Sequence, residues 1–233
     1  MPAWLGGAAL FLIALIIVAT IKYEKPTKKE PAANESDVQL KGLWRYFERG
    51  AIRPSLIFFI IMIANSGAIV FLPVYAVEIG IYNIGIFYIL QACSMFAANI
   101  LVGKTISRLR NPLFLLLFAT ICFASSLFML FMATGTGTFA VAAILYGLGL
   151  GMITTTVSAV TMSSTVPERR GAASATFQFA MDAGFCVGSL ALGLVAEIYG
   201  YRYLYGVISL LPIIAAAMCL LFFVKRKNVK AQS

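Results

Sequence analysis

Long runs without a charged side chain constrain the fold of this chain more than any other feature. Segments 1–21, 54–77 and 79–103 contain no Asp, Glu, Lys or Arg, and segment 111–167 is equally uncharged, with a turn-like stretch, ATGTGT, near its middle. A helix that crosses a lipid bilayer needs about 20 apolar residues, each adding about 1.5 Å of length. The runs therefore predict an all-α integral membrane protein.

Seven transmembrane helices are predicted from these runs and their lengths. They cover 3–21, 54–77, 84–102, 112–132, 139–161, 172–199 and 203–224. Hydrophobic residues make up 61% of the chain and charged residues 12%, whereas helices of soluble proteins carry a polar face on every turn. The first run lacks the basic start of a secretory signal peptide and is longer than one, so we expect it to remain as a span.

Basic residues are concentrated in alternate gaps between the predicted helices. All 18 of them except Arg202 lie in 22–53, 103–111, the gap that contains Arg169 and Arg170, or the tail 225–233. Cytoplasmic loops are enriched in Lys and Arg, so these gaps are predicted to be cytoplasmic. The C-terminus then lies inside and the N-terminus outside a cell membrane, which we expect to be bacterial.

The net charge of +9 is explained by this topology and by contact with anionic lipid headgroups, not by binding to nucleic acid. The predicted domain plan is a first helix, 1–21, a cytoplasmic linker, 22–53, a six-helix domain, 54–224, and a basic cytoplasmic tail, 225–233. The linker is expected to contain an amphipathic surface helix from Asp37 onward. Because the chain starts directly with an outside-facing helix, we expect it to be a fragment or a late start within a longer protein.

Two related motifs lie on opposite sides of the predicted membrane. GKTISRLRN, 103–111, resembles a G-x-x-x-D-R-x-G-R signature: Gly103 and Arg108 match, whereas Ser107 and Arg110 replace the Asp and the second Gly. GLVAEIYGYR, 193–202, repeats the pattern outside as G-x-x-x-E-x-x-G-x-R. Together with the order of helices, these motifs resemble the C-terminal half of a major facilitator superfamily transporter, preceded by the last helix of its N-terminal half. The resemblance implies an MFS-type bundle of two inverted three-helix repeats.

The segment PERRGAASA, 167–175, is similar to the loop before the penultimate helix in that superfamily. FLPVYAVEIG, 71–80, resembles the first hairpin of the C-terminal half in its drug-efflux-like members. The resemblance implies a secondary active transporter that exports small organic molecules by ion-coupled alternating access, with Gly103 and Arg108 in a conformational gating loop. Its expected partners are a small-molecule substrate, protons as a candidate coupling ion, the lipid bilayer, and a missing N-terminal half or a second copy. Two alternatives stay open: a truncated or regulatory membrane protein that does not transport, and a homodimeric half-size transporter.

Asp182 is the main candidate for a substrate or proton site. It lies about 10 residues, or roughly 15 Å, into the sixth predicted helix, near the bilayer midplane, where a charged Asp costs about 2.5–3.5 kcal/mol. At 100° per residue, Asp182 belongs to a polar stripe opposite a face of small residues. The stripe is Ser174, Gln178, Asp182, Cys186 and Ser189, and the opposite face is Gly184, Gly188 and Ala191. Asp182 either lines a cavity and binds a cation, a proton or a cationic substrate, or is a structural group bonded to a neighbouring helix.

Gln178, Asn65 and Gln91 are the other candidates, since their amides lie deep in predicted spans. Each either lines a cavity or bonds two helices together. The chain has no His, which excludes an imidazole base or a His-containing metal site. Its four Cys lie in separate spans, and it has no Gly-Lys-Ser/Thr phosphate loop. We therefore expect no catalytic, cofactor or metal site, and no enzyme.

Overall fold

The computed structural model describes residues 49–106 and 112–231, and side chains within 51–220 except 107–111 and Glu168. Its helices are α1 (Arg49–Glu78), α2 (Gly85–Thr105), α3 (Leu113–Phe131), α4 (Thr136–Ser163), α5 (Arg170–Tyr199), α6 (Tyr201–Ile208) and α7 (Leu210–Ala231), with a 3₁₀ turn, Pro167–Arg169, before α5. Among the described residues, six spans are long and apolar enough to cross a membrane. They coincide with the six spans predicted within 54–224, and this part of the prediction is confirmed. The predicted span 3–21 and the linker as far as residue 48 lie outside the described residues.

The last span, Tyr201–Leu220, matches its prediction but contains a one-residue turn that the sequence did not predict. Helix α6 ends at Ile208 and α7 begins at Leu210, with Ser209 between them. Pro212 has no N–H to donate to the carbonyl of Ile208, and its ring crowds that carbonyl. Ser209 keeps helical backbone angles, with φ -65° and ψ -21°, so the interruption is confined to this turn. Helix α7 then continues to Ala231, through most of the predicted tail.

Helices α1 and α4 form the centre of the bundle. Helix α5 packs along α1, while α2 and α3 both pack along α4. The centre is completed by contacts between α1 and α4, and α6 and α7 pack against α1 and α3. The largest fully buried side chains in this core include Phe58, Leu72, Phe123, Tyr146 and Tyr205.

Glycines allow α4 to approach its neighbours closely. A Cβ on Gly147 would overlap Ser94 and the backbone of Gln91 on α2, and one on Gly149 would lie 2.6 Å from the amide nitrogen of Phe123 on α3. Contacts this short leave no space for a side chain. Small residues therefore allow the backbone of α4 to pack closely on both neighbouring helices.

Two turns require glycine for its backbone conformation. Gly80 has φ +78°, and the amides of Gly80 and Ile81 donate to the carbonyls of Val77 and Ala76 at 3.0 and 2.7 Å. This is the Schellman arrangement that ends a helix. Gly200, which joins α5 to α6, has φ 85° and ψ 160°, a conformation open almost only to glycine. It explains the second glycine of the motif at 193–202.

The carboxyl end of α3 receives donors from two other helices. Tyr75 Oη donates to the carbonyl of Leu130 at 2.7 Å, and Arg202 Nε donates to that of Phe131 at 3.2 Å. The last carbonyls of a helix have no partner within it. Tyr75 also packs on Tyr205, with ring centroids 4.7 Å apart, so α1, α3 and α6 are joined at this end of the bundle.

Candidate functional site

Helix α5 packs on α1 along a narrow face of mostly small residues. The residues buried on it are Ala173, Thr176, Gly184, Gly188, Leu192 and Ala196. A Cβ on Gly184 would lie 2.6 Å from the carbonyl oxygen of Phe59, and one on Gly188 would lie 2.8 Å from that of Ile63. The two backbones are therefore in direct contact, as expected of small residues between membrane helices.

The polar stripe of α5 lies away from this packing face. Gln178, Asp182 and two further members of the stripe are exposed, and Ser189 is half-buried. The prediction that Ala191 belongs to the packing face is wrong, because Ala191 is exposed. The contact with α1 follows steps of four residues, which turn around the helix by about 40° each. Leu192, four residues after Gly188, is therefore the buried residue at this turn of the helix.

Asp182 is the thirteenth of the 30 residues of α5, about 18 Å from its first residue. Gln178 Nε2, one turn earlier, lies 3.3 and 3.4 Å from the two carboxylate oxygens of Asp182 and donates to them. Glu78 and Glu197, in contrast, lie at or near the ends of their helices, where water can solvate them. Asp182 is thus an exposed carboxylate deep within a span.

Asn65 lies in the core between the two central helices. It is buried, and its Oδ1 accepts a hydrogen bond of 2.6 Å from Tyr146 Oη on α4. Its Nδ2 lies 3.8 Å from the sulfur of Met62, which is a weak acceptor. The amide of Asn65 therefore joins α1 to α4.

Gln91 lies in the contact between α2 and α4. Its side chain is half-buried, and its Oε1 is buried without a hydrogen-bond partner among the described residues. Its backbone carbonyl accepts from Ser94 Oγ at 3.0 Å and lies against Gly147. The backbone contact explains the close approach of the helices and leaves the amide oxygen available.

The structure brings together only two of the four candidate site residues, Gln178 and Asp182. None of the hydrogen bonds within the described ranges joins Asn65 or Gln91 to that pair. Gly103, of the predicted gating loop, is exposed in the last turn of α2. Arg108, its predicted companion, lies outside the described residues.

Sequence reasoning missed a second polar pair, in which Asn99 is exposed and Thr155 half-buried. Thr155 Oγ1 on α4 donates to Asn99 Oδ1 on α2 at 2.7 Å. A second amide in the same predicted span as Gln91 is the signal that could have identified Asn99. Tyr146, the partner of Asn65, was also missed, because a lone Tyr in an apolar run resembles an ordinary core aromatic.

The pair on α5 has a restricted chemistry. A carboxylate with one amide donor can attract a cation or accept a proton. Within 49–106 and 112–231, no group of three or more His, Cys, Asp or Glu side chains could hold a metal ion.

Comparison with known proteins was made for both sequence and fold. A family model described as Major Facilitator Superfamily matches residues 1–189 and again 116–233. Among solved structures, a point mutant of the peptide transporter POT in complex with alafosfalin is similar in fold, with a TM-score of 0.60 at 14% sequence identity. The match covers 74% of this chain but only 37% of that transporter. The sequence matches none of the curated proteins.

Proposed function

Because this chain belongs to the Major Facilitator Superfamily, we propose that its six described spans are the C-terminal half of a secondary active transporter. In such a transporter two helical halves rock against each other, so that a binding site between them opens to one side of the membrane at a time. The observation that carries the proposal is the exposed pair Gln178–Asp182 in a span whose other face is packed on α1. Export of small organic molecules is proposed from the resemblance of 71–80 to efflux members of the superfamily.

The pairing of helices supports two inverted three-helix repeats. The counterparts of α1, α2 and α3 in the second repeat are α4, α5 and the α6–α7 pair. When each helix is replaced by its counterpart, the main helix–helix contacts are the same. The contact of α1 with α5 becomes that of α4 with α2, and the contact of α4 with α3 becomes that of α1 with the last span. The contact between α1 and α4 is its own counterpart, because these two helices correspond to each other. Inverted repeats of this kind place substrate sites near the bilayer midplane, where Asp182 is expected.

The exposed sides of α2 and α5 are proposed to contact a second helical half. These two spans are the least buried of the six. In each of them 22% of an 18-residue apolar stretch is buried, against 61% in α1 and in α4. Asp182 and Asn99 both lie on exposed sides of this pair of helices, and facing lipid would be costly for an aspartate. The second half is either an N-terminal half of the same protein or a second copy of this chain.

Asp182 is proposed to couple transport to an ion, with protons as the candidate. The test is to substitute Asp182→Asn, which is nearly isosteric and removes only the titratable charge, and to measure transport per folded protein across a range of pH. We expect transport to fall by at least about 100-fold, or to lose its dependence on pH, because a positioned ionisable group typically contributes 10²–10⁴-fold.

Glu197→Gln is the matched control, since Glu197 is an exposed carboxylate on the same helix near its end. It should transport like the unsubstituted protein. Normal, pH-responsive transport by Asp182→Asn would contradict an ionisable role for Asp182 and favour a structural one.

A further inference from the structure

Arg202 is the one basic residue of the chain that lies outside the gaps predicted to be cytoplasmic. We propose that its guanidinium binds the phosphate of a phospholipid, whose acyl chain lies along exposed apolar residues of α3 and of the last span. The proposal goes beyond the proposed function, because it concerns the lipid-facing surface of the bundle and does not depend on transport.

The contacts of Arg202 leave most of its donors free. Its Nε donates to the carbonyl of Phe131 at 3.2 Å, and its Cζ lies 5.8 Å from the centroid of the Phe131 ring. Arg202 is exposed, and it makes no other hydrogen bond and no ion pair within the described residues. A guanidinium has five N–H groups, so those of its two terminal amino groups stay available. They form the planar fork that binds a phosphate through two parallel hydrogen bonds.

Arg202 lies at the depth of the lipid headgroups. Helix α3 has 19 residues, or about 28 Å at 1.5 Å each, and the hydrocarbon core of a bilayer is about 30 Å thick. Its last residue, Phe131, therefore lies at the boundary between acyl chains and headgroups. Tyr199 and Tyr203 are 67% and 65% exposed at the same end of the bundle, and exposed tyrosines are typical of this boundary.

Two rows of exposed apolar side chains run from this site toward the centre of the bilayer. They are Val207, Leu210 and Ile214 on the last span, and Phe128 and Ile121 on α3. Each row follows steps of three, four or seven residues, which keep it on one face of its helix. Helix α3 packs on both α6 and α7, so the two rows belong to neighbouring helices. An acyl chain joined to a phosphate at Arg202 can lie along them.

A phospholipid suits this surface better than a free phosphate ester does. Glu78 and Glu197 lie at the same end of the bundle, so the local charge does not attract free anions. A phospholipid, in contrast, is brought to this depth by its acyl chains and is abundant in the bilayer. A single charged contact is then enough to select the position of its phosphate.

The test is native mass spectrometry of the purified full chain in detergent, with dioleoylphosphatidylcholine, whose phosphate is its only anionic group. Arg202→Gln should weaken the apparent affinity by about tenfold, because a charge-assisted contact is lost. Arg202→Lys keeps the charge without the fork and should weaken it by about threefold, because one contact replaces two. The matched control is Arg53→Gln, an exposed arginine near the opposite end of the bundle, which should bind like the unsubstituted protein.

Two further probes separate the phosphate from the acyl chains. Dioleoylglycerol, which has the chains but no phosphate, should bind the unsubstituted protein and Arg202→Gln equally. Glycerophosphocholine, which has the phosphate but no chains, should not displace the lipid. Tyr75→Phe removes the other donor to the end of α3, the bond from Tyr75 Oη to the carbonyl of Leu130. It should lower the thermal midpoint and leave the lipid affinity unchanged.

The proposal is overturned if Arg202→Gln binds phosphatidylcholine as tightly as Arg53→Gln does. Displacement by glycerophosphocholine would also overturn it, because the site would then be one for free phosphate esters. Equal weakening in Tyr75→Phe would mean that the integrity of the α3 end, and not the guanidinium, determines binding. If Arg202→Gln does not fold, Arg202→Lys decides, and unchanged affinity in that variant contradicts the proposal.

Discussion

At the scale of single residues, Asn65 and Asp182 show two ways of accommodating a polar side chain in an apolar span. Asn65 is buried and receives its hydrogen bond from Tyr146 on another helix. Asp182 is exposed and receives its donor from its own helix. Both amide and carboxylate lose water in a membrane, but only the carboxylate keeps an open side. The difference suits a structural role for Asn65 and a binding role for Asp182.

Removing the phenol of Tyr146 should destabilise the bundle. Tyr146→Phe leaves Asn65 Oδ1 buried without its donor, and hydrogen bonds between membrane helices contribute about 0.6 kcal/mol on average and up to about 1.7. We expect the free energy of unfolding to fall by about 1 kcal/mol, measured by denaturant titration in mixed micelles. Tyr203→Phe, at an exposed phenol, is the control. Equal stability of the two variants would contradict this role for the bond.

At the scale of helices, the bundle is held by close approach of backbones, since apolar side chains gain little by leaving lipid for one another. The α1–α5 and α2–α4 contacts both use glycines that face a neighbouring backbone. In α5 this leaves one side packed and the opposite side free for Asp182. The packing face therefore determines the direction in which the polar stripe points.

A methyl group on this face should separate α1 from α5. In Gly188→Ala, the new Cβ would lie 2.7 Å from the Cα of Ile63, so one backbone has to move, and overpacking of this kind costs about 1–3 kcal/mol. Gly193→Ala is the control on the same helix, because its nearest neighbour is a side-chain atom of Phe71 at 3.5 Å. Thermal unfolding in detergent should show a lower midpoint for Gly188→Ala only. A shift of equal size in the control would mean that crowding against α1 is not the cause.

At the scale of the whole molecule, the six spans place their connecting turns alternately on two sides. The α3–α4 turn at 132–135 has no basic residue, whereas the gap between α4 and α5 ends with Arg169 and α5 begins with Arg170. The charge bias puts the first turn outside and the second in the cytoplasm. Orientation remains a prediction from sequence, because a bundle in isolation has no inside or outside.

Cysteine labelling in intact cells checks this orientation. Thr134→Cys should react with a membrane-impermeant maleimide, and Ser164→Cys should react only after the membrane is opened; both positions are exposed. The background for both is a variant that lacks the four native cysteines, Cys93, Cys122, Cys186 and Cys219. Labelling of Ser164→Cys from outside would reverse the topology and remove the positive-inside argument.

The sequence by itself determined the six described spans, because the need to exclude polar groups from lipid limits each span to a long apolar run between polar ends. It also identified Asp182 and the small residues at Gly184 and Gly188, since helical periodicity relates residues within one helix. It did not predict the one-residue turn at Ser209, where Pro212 leaves the carbonyl of Ile208 without its helical donor.

Only the tertiary structure decided which polar residues belong together. Asn65 and Asp182 are both candidates from the sequence, and their different surroundings depend on partners 81 and 4 residues away in sequence. The bond from Thr155 to Asn99 spans 56 residues and is equally invisible to periodicity within one helix. Apolar runs determine where helices form, but which faces meet depends on how side chains of different helices fit together, and no single span contains that information.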